Sequence, residues 1–141
     1  MQARCVGIDY GTKRIGLAIS DPGGSIASPL TTLNLVGDPA ARIEQILRAL
    51  ADYDVDEWVV GLPLNMDGTD SRQTQLTRRF AAALSRRVDR PIHLCDERLS
   101  SYQADEYLAA SQLSAKKRKA RRDRLAAQVI LQSFLDARTQ A

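Results

Sequence analysis

With 141 residues, the chain is long enough to bury one hydrophobic core and too short for two, so residues 1–141 read as a single domain. Its 44% apolar and 26% charged content is that of a globular protein in water, with no apolar run of membrane-spanning length and no signal-peptide pattern. Net charge is only +3, yet residues 116–124 carry seven Lys and Arg and one acid, contributing +6 and leaving −3 for the rest. The basicity is local, which excludes general solubility as its cause and points to a polyanionic partner.

Residues 4–9, rich in Val and Ile, predict a strand. Gly11-Thr12-Lys13-Arg14 follows as a turn, and Ile15–Ile19 returns as the second arm of a hairpin. After the Asp21-Pro22-Gly23-Gly24 break, Ala27–Leu33 predicts an edge strand containing Pro29. Asp38 then caps a helix with Pro39 at its first position, and Ile43, Ile46, Leu47 and Leu50 make one buried face. Trp58–Leu62 is a continuous apolar run, as expected of a central parallel strand, and it ends in the turn-rich loop Pro63–Gly68.

A second helix is predicted over 71–88, with Leu76, Phe80, Leu84 and Val88 on its inner side. A strand over 91–96 and a helix over 102–110 come next. A basic loop then leads into a last helix over 122–138. Cys5 and Cys95 fall in predicted strands and read as small core residues of a reducing cytoplasm. The order β-β-β-α-β-α-β-α-α predicts an α/β domain, a five-stranded mixed sheet with helices on both faces.

Three acids stand out. Asp9 closes the run 5–9, Glu97 follows the strand 91–96, and Asp123 lies within the basic stretch. In open α/β sheets ligands bind beyond the carboxyl ends of the parallel strands, so parallel first, fourth and fifth strands bring Asp9, the Pro63–Asp67 loop and Glu97 to one edge. Asp123 shares a helical face with Ala126, Ala127 and Ile130, which must pack on the sheet. Gathered carboxylates raise one another's pKa unless a cation is present; Mg2+ or Mn2+ is expected. Each acid alone has a plainer reading: Asp9 as a turn residue, Glu97 as a surface ion-pair partner, Asp123 as a helix N-terminal acid. Their joint placement favours a site. The lone His93, inside an apolar strand, reads as packed or hydrogen-bonded. The basic run contains no aromatics, which fits backbone contact better than base stacking.

Four segments resemble the YqgF/RuvX family of Holliday junction resolvase-like, precursor 16S rRNA nucleases, of RNase H-like fold. They are Gly7–Ala18, Gly61–Gly68, Asp96–Ser100, and Lys116–Lys119 with Asp123–Ala127 and Ile130–Ser133. The resemblance spans nearly the whole chain. It implies Asp9, Glu97 and Asp123 as the catalytic, metal-holding triad of a cytoplasmic endonuclease that trims the 5′ end of precursor 16S rRNA. Lys13, Arg14, Arg98, Lys116, Lys117, Arg118, Lys119, Arg121 and Arg122 are the candidate nucleic-acid contacts. Residues 70–75 and Arg121-Arg122 depart from the usual pattern; neither touches the triad.

Alternatives stay open. Branched DNA is a second candidate substrate, which would suit a homodimer presenting two sites, whereas trimming one RNA end needs only a monomer. A non-catalytic RNA-binding ribosome-assembly factor would keep the basic run without needing the acids. Asp9-Tyr10-Gly11-Thr12 also resembles the first phosphate loop of actin-like ATPases, but that architecture needs a second half which 141 residues do not supply.

Overall fold

The computed structural model describes residues 4–98 and 115–139, the stretch 115–124 as helix backbone alone. The chain opens with an antiparallel meander of β1 (Cys5–Tyr10), β2 (Arg14–Ser20) and β3 (Ala27–Asn34). Gly11 N donates to Arg14 O at 2.9 Å to close the first turn. In the second turn one Asp21 carboxylate oxygen accepts from both Ser25 N and Ile26 N at 2.8 Å. Pro29, which has no N–H to donate, sits where the β2–β3 register shifts, on the edge strand that tolerates it.

Helix α1 (Pro39–Ala49) starts as its sequence predicts: Asp38 accepts from Ala41 N at 2.9 Å, and Pro39 holds the first turn. β4 (Glu57–Leu62) pairs parallel to β1, α2 (Arg72–Arg87) crosses back, and β5 (Ile92–Asp96) pairs parallel to β4. The strand order is β3-β2-β1-β4-β5, a five-stranded mixed sheet closed over by α3 (Ala115–Thr139). Among the described residues, no helix is long and apolar enough to cross a membrane.

Strand alternation divides the core between the two faces. Val6, Ile8 and Tyr10 of β1, with Trp58 and Val60 of β4, meet Ile43 and Ile46 of α1 and Phe80 and Leu84 of α2. Cys5 of β1 and Val59 of β4 point the other way, where Ala127, Ile130, Leu131 and Leu135 of α3 cover them. Gly7 allows that approach: a Cβ there would lie 2.7 Å from Leu131 Cβ and 2.9 Å from the Ala127 carbonyl. α3 runs antiparallel to β1 and β4. Its Ala127 turn lies against Gly7 in mid-strand, and Arg138 reaches Cys5 and Glu57 where those strands begin.

The structure corrects three expectations. The basic stretch 116–124 belongs to α3 rather than to a loop; Lys, Arg and Ala are strong helix formers, so the stretch is helical without apolar periodicity in its sequence. On α2, Leu76 is half-buried while Thr74 and Thr77 are fully buried, because the Thr77 hydroxyl donates to Gln73 O at 2.9 Å and Thr74 caps the helix start. Cys95 is only half-buried, since β5 is an edge strand and Leu94 on its outer side is exposed. The helix predicted over 102–110 lies outside the described residues.

Candidate active site at the carboxyl edge of the sheet

β1, β4 and β5 all end at one edge, and two of the three acids are described there. Asp9 follows Cys5 and Gly7 on the α3 side of β1 and is half-buried. Glu97 comes one residue after β5, its backbone N–H donating to Leu62 O at 3.2 Å, which ties it to the end of β4. Its side chain is 7% exposed.

Gly61 makes that burial feasible. A Cβ at residue 61 would overlap both Glu97 Oε2 and Ile130 Cδ1, so the carboxylate lies in the space a side chain would fill. Oε2 has no hydrogen-bond partner among the described residues. Burial first, then the negative charges of Asp9 and Asp96, pushes the Glu97 carboxyl up to about 8. A buried acid held next to other acids, with an unoccupied lone pair, is the donor chemistry that a hard divalent cation satisfies.

Asp123 lies on the α3 backbone one turn before Ala127; its side chain is outside the described residues, as are those of Lys116, Lys117, Arg118, Lys119, Arg121 and Arg122. Among the described residues no three His, Cys, Asp or Glu side chains group as a metal cage. Lys13 is exposed in the β1–β2 turn, and Arg14 is half-buried at the start of β2.

Arg98 is engaged inside the protein. Its Nη2 lies 2.7 Å from Asp96 Oδ2, its Nε donates to the same carboxylate, and its Nη1 donates to Met66 O at 3.0 Å. The guanidinium holds the Asp96 carboxyl below its usual range and fastens the β4–α2 loop beside Glu97. That loop is ordered by its own bonds. Gly68 takes a φ of 88°, which favours glycine, while Asn65 N donates to Thr69 O at 2.9 Å and Asp67 accepts from Thr69 N at 3.0 Å.

The start of α2 anchors the same edge. Ser71 and Thr74 form a capping box, the Thr74 hydroxyl donates to Pro63 O, and Gln73 Nε2 donates to Tyr10 O at 2.9 Å. Reading of the sequence passed over Gly61, Gln73 and Thr74. Only the Ser71-x-x-Thr74 spacing carried a signal, that of a capped helix.

A second polar cluster occupies the opposite edge under the same helix. Arg138 Nη2 lies 2.6 Å from Glu57 Oε2, the Cys5 thiol donates to Glu57 at 3.4 Å, and His93 Nε2 is 3.6 Å from Glu57 Oε1. The His93 ring packs on Phe134, with centroids 4.8 Å apart, in the packed role expected of it. Burial opposes ionisation of Glu57, but Arg138 outweighs it, with help from Cys5 and His93, and holds the carboxyl below its usual range. Burial, reinforced by Glu57, pushes the Cys5 thiol up to about 11, so it is an inert core residue.

The sheet order, the helices on both faces and the carboxyl-edge acids define an RNase H-like α/β domain. Thermus thermophilus RuvC has the same fold, with a TM-score of 0.55 at 18% identity, over 97% of this chain and 96% of that one. RuvC bound to a Holliday junction gives the same score at 15% identity, over 98% and 96% of the two chains. The chain belongs to the RuvX family, described as Holliday junction resolvase, whose signature matches residues 3–137. A relative from Maridesulfovibrio salexigens is 44% identical over 94% of this chain and 97% of its own, and one from Koribacter versatilis 41% identical over 98% and 90%. Both carry the name "Putative pre-16S rRNA nuclease".

Proposed function

We propose that this protein is a divalent-metal-dependent endonuclease that hydrolyses phosphodiester bonds in structured RNA, the 5′ end of precursor 16S rRNA first among them, in the cytoplasm. The observation that carries the reading is Glu97: a buried carboxylate, unpartnered at Oε2 among the described residues, on the same edge as Asp9, in a family whose relatives are named nucleases.

Asp9, Glu97 and Asp123 would hold Mg2+ or Mn2+, which when bound supplies Lewis-acid stabilisation of negative charge at a phosphodiester. Gly61 keeps room for the Glu97 carboxylate, and Arg98 fixes the 63–70 loop beside it. Gln73 and Thr74 hold the ends of β1 and β4, so Asp9 is carried on an anchored strand and Glu97 is tied to the anchored end of β4 through Leu62 O. Lys13, Arg14 and the basic first turns of α3 supply phosphate contacts around the cut. The acids serve the metal and the basic residues serve the phosphates, so binding and cutting have separate requirements.

The family description favours a second reading, resolution of branched DNA. One experiment separates them: cleavage of a precursor 16S rRNA fragment beside a four-way DNA junction, in Mn2+ or in EDTA, by wild type and Asp9→Asn. Metal-dependent cutting of the RNA that Asp9→Asn abolishes supports the proposal. Cutting of the junction alone replaces the substrate. Equal binding by both proteins without cutting would leave a ribosome-assembly factor.

A further inference from the structure

Helix α2 carries five arginines and no acid in sixteen residues, a composition its structural role does not require. Its inward face is set by Thr74, Thr77, Phe80, Ala81 and Leu84. Two of the arginines have structural partners: Arg78 Nε lies 2.9 Å from Asp70, and Arg87 Nε 2.9 Å from Glu44 of α1. Arg72, Arg79 and Arg86 differ. They are exposed, and among the described residues no acid pairs with them.

Their spacing is seven residues, which falls only about 20° short of two helical turns, so the three lie in one row. The row points away from the buried face, opposite Thr77 and Leu84. At roughly 1.5 Å per residue it is about 21 Å long. Arg72 stands in the first turn, where the helix dipole disfavours a cation, so capping does not account for it. That first turn is the one fastened to the carboxyl edge through Thr74 and Gln73. The row therefore begins at the edge holding Asp9 and Glu97 and runs away from it, on the sheet face opposite α3.

We propose that Arg72, Arg79 and Arg86 form a second phosphate-binding track, which carries the flank of a nucleic-acid substrate that leaves the cut on the α2 side. The basic turns of α3 hold the other flank, so the sheet edge sits between two cationic supports and the substrate crosses it. The partner is a phosphodiester backbone and not a base sequence, since α2's outward row offers guanidinium groups flanked by Gln75 and Ala82 and no aromatic side chain. The inference rests on the nucleic-acid reading above but does not need cleavage.

The test is the salt dependence of binding to the precursor rRNA fragment in EDTA, which withholds the metal. Each lost phosphate contact lowers the slope of log K against log salt by about 0.9 on a duplex or about 0.7 on a single strand. The triple variant R72A/R79A/R86A is therefore expected to lose about 2–3 from the slope. R87A, whose charge is already paired with Glu44, loses far less. The charge-keeping R72K/R79K/R86K retains the wild-type slope.

An unchanged slope in a triple-alanine protein that melts like wild type overturns the track. So does a triple-lysine protein that also loses slope, because the effect is then structural, and so does a wild type that does not bind RNA. If the slopes separate but wild type never cuts in Mn2+, the track stands and the nuclease reading falls. If wild type cuts and the slopes coincide, the reverse holds.

Discussion

Glu57 and Glu97 lie under the same helix at opposite ends of the sheet, and their surroundings treat charge in opposite ways. At the amino end, Arg138, Cys5 and His93 surround Glu57 and keep it ionised. At the carboxyl end, Glu97 faces other acids, one oxygen lacks a partner among the described residues, and its proton is held to about 8. A carboxylate that serves only the fold is neutralised by the fold. One left with unfavourable electrostatics by an otherwise well-packed structure marks a place where something from outside completes the site.

Exchanging the fate of the two ends is the strongest way to break this contrast. Asp9→Asn and Glu97→Gln are each expected to lower metal-dependent cleavage on the order of 10²-fold or more while RNA binding in EDTA persists. Glu97→Gln should also melt no lower than wild type without metal, because it removes a group whose ionisation is opposed by burial and by the neighbouring acids. A Glu97→Gln protein that cuts normally would sink the site.

Gly61→Ala comes next. The added methyl overlaps Glu97 and Ile130, so a stability loss of about 1–3 kcal/mol by chemical denaturation is expected, together with a cleavage defect. Normal cleavage in this variant would show that Glu97 does not need the cradle.

The pH dependence sharpens the comparison further. A carboxyl at about 8 in the folded chain and near 4.5 when unfolded binds its proton more tightly when folded. That contribution to stability is complete below about 4.5 and fades as pH rises through about 8. Melting in EDTA is expected to fall across this window, with Glu97→Gln flattening the curve and Mn2+ restoring stability at its alkaline end. Glu57, depressed by Arg138, contributes in the opposite sense at acid pH.

The smallest effect belongs to the amino end. Arg138→Ala should cost about 1 kcal/mol, modest because the guanidinium is 43% exposed, and leave cleavage rates unchanged. A cleavage defect there would mean that the two ends communicate.

The strands and the first two helices were legible because burial writes its pattern into the sequence, as a period where one face is buried and as a continuous apolar run where both are. The run Trp58–Leu62 follows from that, whereas the Asp38 cap has its own local signal and the approach of Asp9 to Glu97 follows from the parallel pairing of β1, β4 and β5. What escaped has a different physics. Residues 115–124 form helix from a sequence that carries no apolar stripe, so periodicity was silent while intrinsic propensity was not. Thr74 and Thr77 replace Leu76 inside because hydroxyls that find acceptors nearby can be buried. Gly61 looked like one more residue of an apolar run, since its meaning lies in the atom it lacks. The pairing of Glu57 with Arg138 joins residues too far apart in sequence for any local pattern to reveal.

The placement of α3 also makes the pocket depend on contacts far apart in the chain. Its partners on the sheet, from Cys5 to Val59, lie far earlier in the chain, and contacts closed over such long loops form slowly. The meander and the β4–α2 unit can assemble while α3 is still unmade or undocked, whereas the Ile130 side of the Glu97 pocket exists only once α3 arrives. Completion of the pocket thus depends on the docking of α3. A chain without a docked α3 would have Asp9 and Glu97 but not the Ile130 wall of the pocket.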